Sequence, residues 1–252
     1  MTRLHEAAPG VLVATSRTDS LNSVIIEGLD NGALLIDPGW HQDELDELAA
    51  ELRERSLSPV AGLSTHAHHD HLLWHPSFGD VPRWATPDTV RIAGAKRAEI
   101  LDELGPGFTS EVLALVGKVS ALPGLDVPWA GPELDVILHD AHIVGHTAVW
   151  MADSGILIAG DMLSDVELPL PDGDDIHGAL ATYRAGLDTL APYASIAKLV
   201  IPGHGSITTD GFGRLEADRR YLDDLYHGRE SHDIRLDNAG MLQVHAANCA
   251  LV

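Results

Sequence analysis

Residues 66–71 read His-Ala-His-His-Asp-His, four imidazoles and a carboxylate within six positions. In extended backbone, side chains two apart point the same way, so His66 and His68 can close on a single metal ion. Asp70 and His71 are adjacent and diverge, which lets them offer an oxygen and a nitrogen to a second ion. Imidazole and carboxylate donors with no thiolate nearby suit zinc, iron or manganese. Donors of the same kind recur downstream: His142 in His142-Ile143-Val144-Gly145-His146, Asp161 after Gly160, and His204 in Pro202-Gly203-His204-Gly205. Each stands where a short apolar run gives way to a glycine-containing turn, a place where a rigid sheet can hold a site. A His-rich surface loop is the plain alternative, but residues 66–71 follow directly on a short buried strand at 60–64.

The elements that must carry these donors can be read from periodicity. Short β-rich runs fall at 10–14, 23–27 and 33–36, with Asp30-Asn31-Gly32 as a hairpin turn and Asp37-Pro38-Gly39 as a stop. Residues 43–55 place Leu45, Leu48, Ala49 and Leu52 at helical spacing, acids early and arginines late. Helices are expected at 87–103 and 110–118, broken by Gly105-Pro106-Gly107. A second strand-rich half follows at 134–138, 148–151 and 156–159, the last two joined by Asp153-Ser154-Gly155. A helix at 179–190, a strand at 198–201 and a helix at 216–226 complete it. Strands then helix in each half suit two mixed sheets with helices outside.

Composition narrows the partners. The 252 residues carry a formal charge of −22, which opposes a nucleic-acid partner because phosphate backbones are held by clustered Lys and Arg. The single Cys249 permits no internal disulfide. No run of 18 apolar residues occurs and the first residues lack a secretory pattern, so the expected location is the cytoplasm, with no membrane partner.

His66-x-His68-x-Asp70-His71, followed in order by a later His, a Gly-Asp and a Gly-His, resembles the metal signature of the metallo-β-lactamase superfamily over roughly residues 10–210. Asp37-Pro38-Gly39 matches its upstream element. The resemblance implies an α/β fold, an αββα sandwich of two mixed β-sheets flanked by helices. It also implies a single domain over 1–252, with a helical insert at about 87–118 and a C-terminal helical region at about 214–252. By analogy His66, His68 and His142 hold a first metal, Asp70, His71 and His204 a second, and Asp161 bridges them. Spacing alone leaves His142 and His146 in competition. The family's His-x-x-Gly-His form, with its first histidine about twenty residues before the bridging Asp, favours His142 (161 − 142 = 19, against 161 − 146 = 15).

What this implies is a hydrolase in which a hydroxide activated by two zinc ions (or iron or manganese) cleaves an ester, lactone, thioester or amide of a small molecule. Asp70 would orient that hydroxide and shuttle its proton. Asp161 stands where the cysteine-ligand β-lactamases carry their thiolate, which points to the glyoxalase II-like and lactonase-like branches. Yet Ser164 replaces the tyrosine usual in lactonases, and 162–169 lacks a glutathione-binding Lys and Tyr. Leu72-Leu73-Trp74-His75 replaces the family's usual small pair and is expected to crowd or wall the entrance. Trp40, Trp74, His75, Met162 and His177 are the expected substrate contacts, and His69 is expected to face away. The alternative is a mononuclear iron oxidoreductase of the persulfide dioxygenase type. A di-iron reductase would carry a glutamate at His68, and a nuclease of this fold is opposed by the charge. Whether 87–118 covers the groove or packs outside, and whether 216–226 makes a homo-oligomer contact, stays open.

Overall fold

The N-terminal β-rich runs pair into a seven-stranded sheet, in the order β1 (His5–Ala8), β2 (Val11–Thr15), β3 (Asn22–Glu27), β4 (Gly32–Ile36), β5 (Ser58–Leu63), β6 (Arg83–Ala85) and β7 (Ser120–Ala121). The computed structural model describes residues 4–171 and 176–251, apart from the side chains of 176, 177, 250 and 251. β1 to β4 are antiparallel and β4 to β7 parallel. Asp30 and Asn31 close the β3–β4 hairpin with φ of 54° and 59°. Short Asx side chains tolerate that left-handed conformation, and the resulting turn matches the twist of the strands.

From β4 to β5 the sheet turns parallel, and such a step needs a crossover. Helix α1 (Gln42–Glu54) supplies it, and Leu45, Leu48, Ala49 and Leu52 bury against Leu12, Ala14, Ile25 and Leu35 as their spacing predicts. The alternate residues Val11, Val13, Val24, Ile26, Leu34 and Ile36 are equally buried, so these strands read as continuous apolar runs. The helix expected over 87–103 is two helices, α2 (Pro87–Ala95) and α3 (Arg97–Leu104), parted where Lys96 leaves helical geometry (φ −101°, ψ 16°). Beyond the break, Arg97 donates to the carbonyl of Leu113 (2.8 Å) in the last turn of α4 (Ser110–Leu115), a favourable place for a cation. β6 and β7, three and two residues long, were not expected, because runs so short show no periodicity.

The second sheet has the order β11 (Leu199–Pro202), β10 (Ile156–Gly160), β9 (Thr147–Met151), β8 (Asp135–Leu138). β9 and β10 are antiparallel; β10 and β11 are parallel, connected through α5 (Ile176–Ile196). Its core joins Leu157, Ala159 and Val200 to Leu180, Leu187 and Leu190 of α5 and to Leu215 and Leu222 of α6 (Gly211–Tyr226). α6 starts five residues before the apolar pattern does, because Asp210 caps it by accepting from the Gly213 N–H (2.9 Å). α7 (Ala239–Leu251) follows a short 3-10 turn at Ile234–Asp237. The chain divides into two compact units, Met1–Val136 and Ile137–Val252. Among the described residues no helix is long and apolar enough to cross a membrane.

Candidate metal centre

In the first unit the parallel pair β4 and β5 ends at one edge, so the residues that follow each strand emerge side by side. Asp37 follows β4 with a left-handed φ of 48°, and residues 64–71 follow β5. One carboxylate then organises the segment. Asp37 accepts from the Thr65 N–H (2.9 Å) and the Thr65 hydroxyl (2.6 Å), and lies 2.9 Å from His71 Nδ1. With its proton given to Asp37, the Thr65 oxygen accepts from His66 Nδ1 (3.0 Å). Both rings are thereby turned so that their Nε2 lone pairs face inward, the outer-nitrogen anchoring that metal-binding histidines use. His66 Nε2 lies 3.0 Å from His68 Nδ1, the His66 and His71 rings sit 4.0 Å apart, and Asp70 Oδ2 is 3.4 Å from His71 Nε2. The unit thus brings His66, His68, Asp70 and His71 together, with His66, Asp70 and His71 buried.

In the second unit β10 and β11 repeat the device. Asp161 leaves the end of β10 and His204 the end of β11. Gly160 (φ +56°) leads into Asp161, and a side chain on it would strike the His146 ring at 2.5 Å; one on Gly203 would strike the Asp161 carboxylate. Bare α-carbons let the two strand ends approach, and the Gly203 N–H donates to the Gly160 carbonyl (2.6 Å). His142, itself at φ +67°, brings Nε2 to 3.3 Å from Asp161 Oδ2, and His204 Nε2 lies 3.6 Å from the same oxygen. Ligand atoms of Asp161, Glu167 and His204 lie within 4.8 Å of one another.

His142 and His146 differ in what their ring nitrogens touch. His146 Nε2 accepts from the Asp161 backbone N–H (3.0 Å), so its lone pair is engaged, and its Nδ1 donates to His139 Nε2 (3.2 Å). His146 is a fully buried support for the Asp161 turn, while His142 faces the carboxylate. Burial, helped by the nearby His142, pulls the pKa of His139 down to about 4, which keeps that ring neutral and able to accept.

Several expected substrate contacts lie elsewhere. Trp74, expected to wall the entrance with Leu72, is a core residue: it is 2% exposed, packs on Phe78 and lies beneath the Arg83 guanidinium (4.9 Å). Leu72 is fully buried in the same core. Their large apolar area is better removed from water than left at an open mouth. Met162 is likewise fully buried in the second core, with no solvent face for a substrate to meet. His75 is occupied in structure, accepting from the Ser77 N–H (3.1 Å) and pairing with Asp46 (3.0 Å). Trp40 is half-buried, its ring against the edge of His69 (5.5 Å), and His69 turns toward Glu103 (3.6 Å). His177 begins α5, and its side chain lies outside the described residues. Asp37 and Thr65 as ring anchors and Glu167 beside His204 escaped the sequence reading; no spacing rule marks them.

The donors of each unit are imidazoles and carboxylates of the kind that hold zinc, iron or manganese, so this His/Asp cluster could hold metal ions. The family model for the metallo-beta-lactamase superfamily matches residues 17–210. An uncharacterized protein of Mycobacterium leprae (strain TN) is 28% identical over 217 residues, covering 79% of this chain and 89% of that protein. A hydroxyacylglutathione hydrolase of Synechococcus sp. (strain JA-3-3Ab) is 32% identical over 133 residues, covering 52% of this chain and 44% of that enzyme. Among solved structures, a beta-lactamase domain protein from Burkholderia ambifaria superposes with a TM-score of 0.68 at 21% identity, covering 89% of this chain and 76% of that one. The two mixed sheets flanked by helices are those of this αββα fold.

Proposed function

The chain belongs to the metallo-β-lactamase superfamily, and on that premise we propose that it is a hydrolase whose two donor clusters serve one dinuclear zinc centre. In this reading His66, His68 and His142 hold the first ion and Asp70, His71 and His204 the second, with Asp161 shared. Iron or manganese would suit the same donors. Bound there, two divalent ions would supply a water of lowered pKa and a Lewis acid for a carbonyl oxygen. The chain's own residues do the rest. Asp37 and Thr65 keep His71 and His66 in the tautomer that presents Nε2. Asp70, buried beside His71, orients the attacking water and moves its proton. His146 holds the backbone of Asp161.

The observation that carries this reading is the pair of anchored rings, His66 and His71, whose inner nitrogens face neighbouring donors in a buried segment. A match running from residue 17 to 210 takes in every donor of both clusters, which supports joining them. The substrate class is a small molecule with an ester, lactone, thioester or amide bond, and the partial likeness to a hydroxyacylglutathione hydrolase makes that thioester the first to try. A charge of −22 supports a role without nucleic-acid partners.

Elemental analysis of the purified chain, with a panel of hydroxyacylglutathione, lactone and β-lactam probes, tests the proposal. Two zincs per chain with turnover of a carbonyl substrate is the expected result, and His66→Ala or Asp161→Ala abolishes it without unfolding the protein. A single iron per chain with persulfide oxidation overturns it.

A further inference from the structure

Residues beyond 210, where the family match ends, build much of the support around His204. The turn at 164–167 reaches it twice. The Ser164 hydroxyl donates to the His204 carbonyl (2.8 Å) and accepts from the N–H groups of Val166 and Glu167 (3.1 and 3.0 Å). The Glu167 carboxylate stands 3.8 Å from His204 Nδ1, beyond hydrogen-bond reach, and shares a 4.8 Å cluster of ligand atoms with His204 and Asp161. Asp165 adds a second tie by accepting from the Ser206 N–H (2.7 Å).

What holds the turn itself comes from the C-terminal region. Arg235, in the 3-10 turn before α7, donates through Nη1 to the carbonyls of Ser164 (3.0 Å) and Glu167 (2.8 Å) and to Asp218 of α6 (2.6 Å). Nε and Nη2 grip Asp233 (2.9 and 2.8 Å). The Arg235 and Asp218 side chains are 3% and 1% exposed. A planar, always-charged fork can clamp both ends of a short turn in this way; a lysine, as a point charge, cannot.

We propose that Arg235, with Asp218, is a positioning residue for His204, clamping the Ser164–Glu167 turn so that it fixes the backbone of that histidine. The inference deepens the dinuclear reading and rests on it for the role of His204. Groups beside metal-binding residues that fix their orientation matter to metal affinity. Ser164 holds the His204 backbone, but it sits on a turn that needs an outside clamp.

The test uses the full chain stripped of metal, in two variants: Ser164→Ala and the double Arg235→Met/Asp218→Leu. The double variant replaces the buried pair with apolar groups but leaves Asp233 without its bidentate partner, so its folding is checked first. Ring 15N spectra of metal-free wild type should show one His204 environment, and the variants should show more than one. In cobalt titration one uptake step should weaken about 10- to 100-fold while the other is unchanged. Folded variants with wild-type His204 spectra and wild-type uptake overturn the proposal. If the double variant does not fold, Ser164→Ala decides by the same readouts. A wild type that takes up fewer than two ions sinks the dinuclear reading instead, and the metal-free spectra still judge the clamp.

Discussion

The two units solve one problem with different economies. Each places its donors at the carboxyl ends of a parallel strand pair, β4 with β5 and β10 with β11, the position where α/β sheets present ligands. In the first unit all four donors lie within six residues and one carboxylate, Asp37, anchors the segment. In the second, three donors arrive on three separate loops, each with its own support: His146 behind Asp161, a left-handed backbone at His142, and the Ser164–Glu167 turn behind His204. A compact cluster concentrates its dependence on one residue. A dispersed one spreads it over many, several of them far away in the sequence.

That contrast breaks first at Asp37. Asp37→Ala leaves the Thr65 amide, the Thr65 hydroxyl and His71 without their shared acceptor, and should lower the unfolding free energy by about 3–5 kcal/mol in urea titration. A loss under 1 kcal/mol would show that the anchor is not concentrated there.

The next largest effect is acid loss of stability in the second unit. His139 has a folded pKa of about 4, below the ordinary 6.5, so the folded chain binds fewer protons between these values. The stability is complete above pH 6.5 and falls as pH drops toward 4, by about 3 kcal/mol in metal-free protein. His139→Gln should remove that slope in denaturation curves recorded across the window; an unchanged slope would place its origin elsewhere.

His142 and His146 separate ligation from support. His146→Ala should cost about 2 kcal/mol of stability through its lost backbone bond and cavity, yet retain metal. His142→Ala should stay folded with reduced metal content; alanine keeps the Cβ, so it does not relieve the left-handed backbone at this position. The reverse pattern of metal content would exchange their roles. The smallest effect belongs to His75→Ala, which removes the cap of a surface 3-10 turn at a cost of about 1 kcal/mol and should leave turnover unchanged. A raised KM there would return His75 to the substrate pocket.

Much of the fold was legible because apolar runs announce strands and the i, i+3, i+4 pattern of Leu45, Leu48 and Leu52 announces a helix. β6 and β7 were not, being shorter than any period, and neither was the break at Lys96 inside an unbroken helical pattern. In the site, histidines and aspartates were visible as donors, but their supports were not. Thr65, Ser164 and Arg235 are ordinary residues in sequence and become supports only through what they touch. Trp74 misled because an aromatic next to a donor motif reads as a pocket wall, while its area is stabilised more by burial.

Residue chemistry and order along the chain were enough to identify the donor types, the crowded hexapeptide and the family signature, since those properties are local. Which nitrogen faces inward, which of two nearby histidines holds the Asp161 backbone while the other faces its carboxylate, and which distant arginine bonds a turn were decided by the tertiary structure. Hydrogen-bond direction and burial depend on neighbours that chain order does not name, and Arg235 meets Ser164 across 71 positions of sequence.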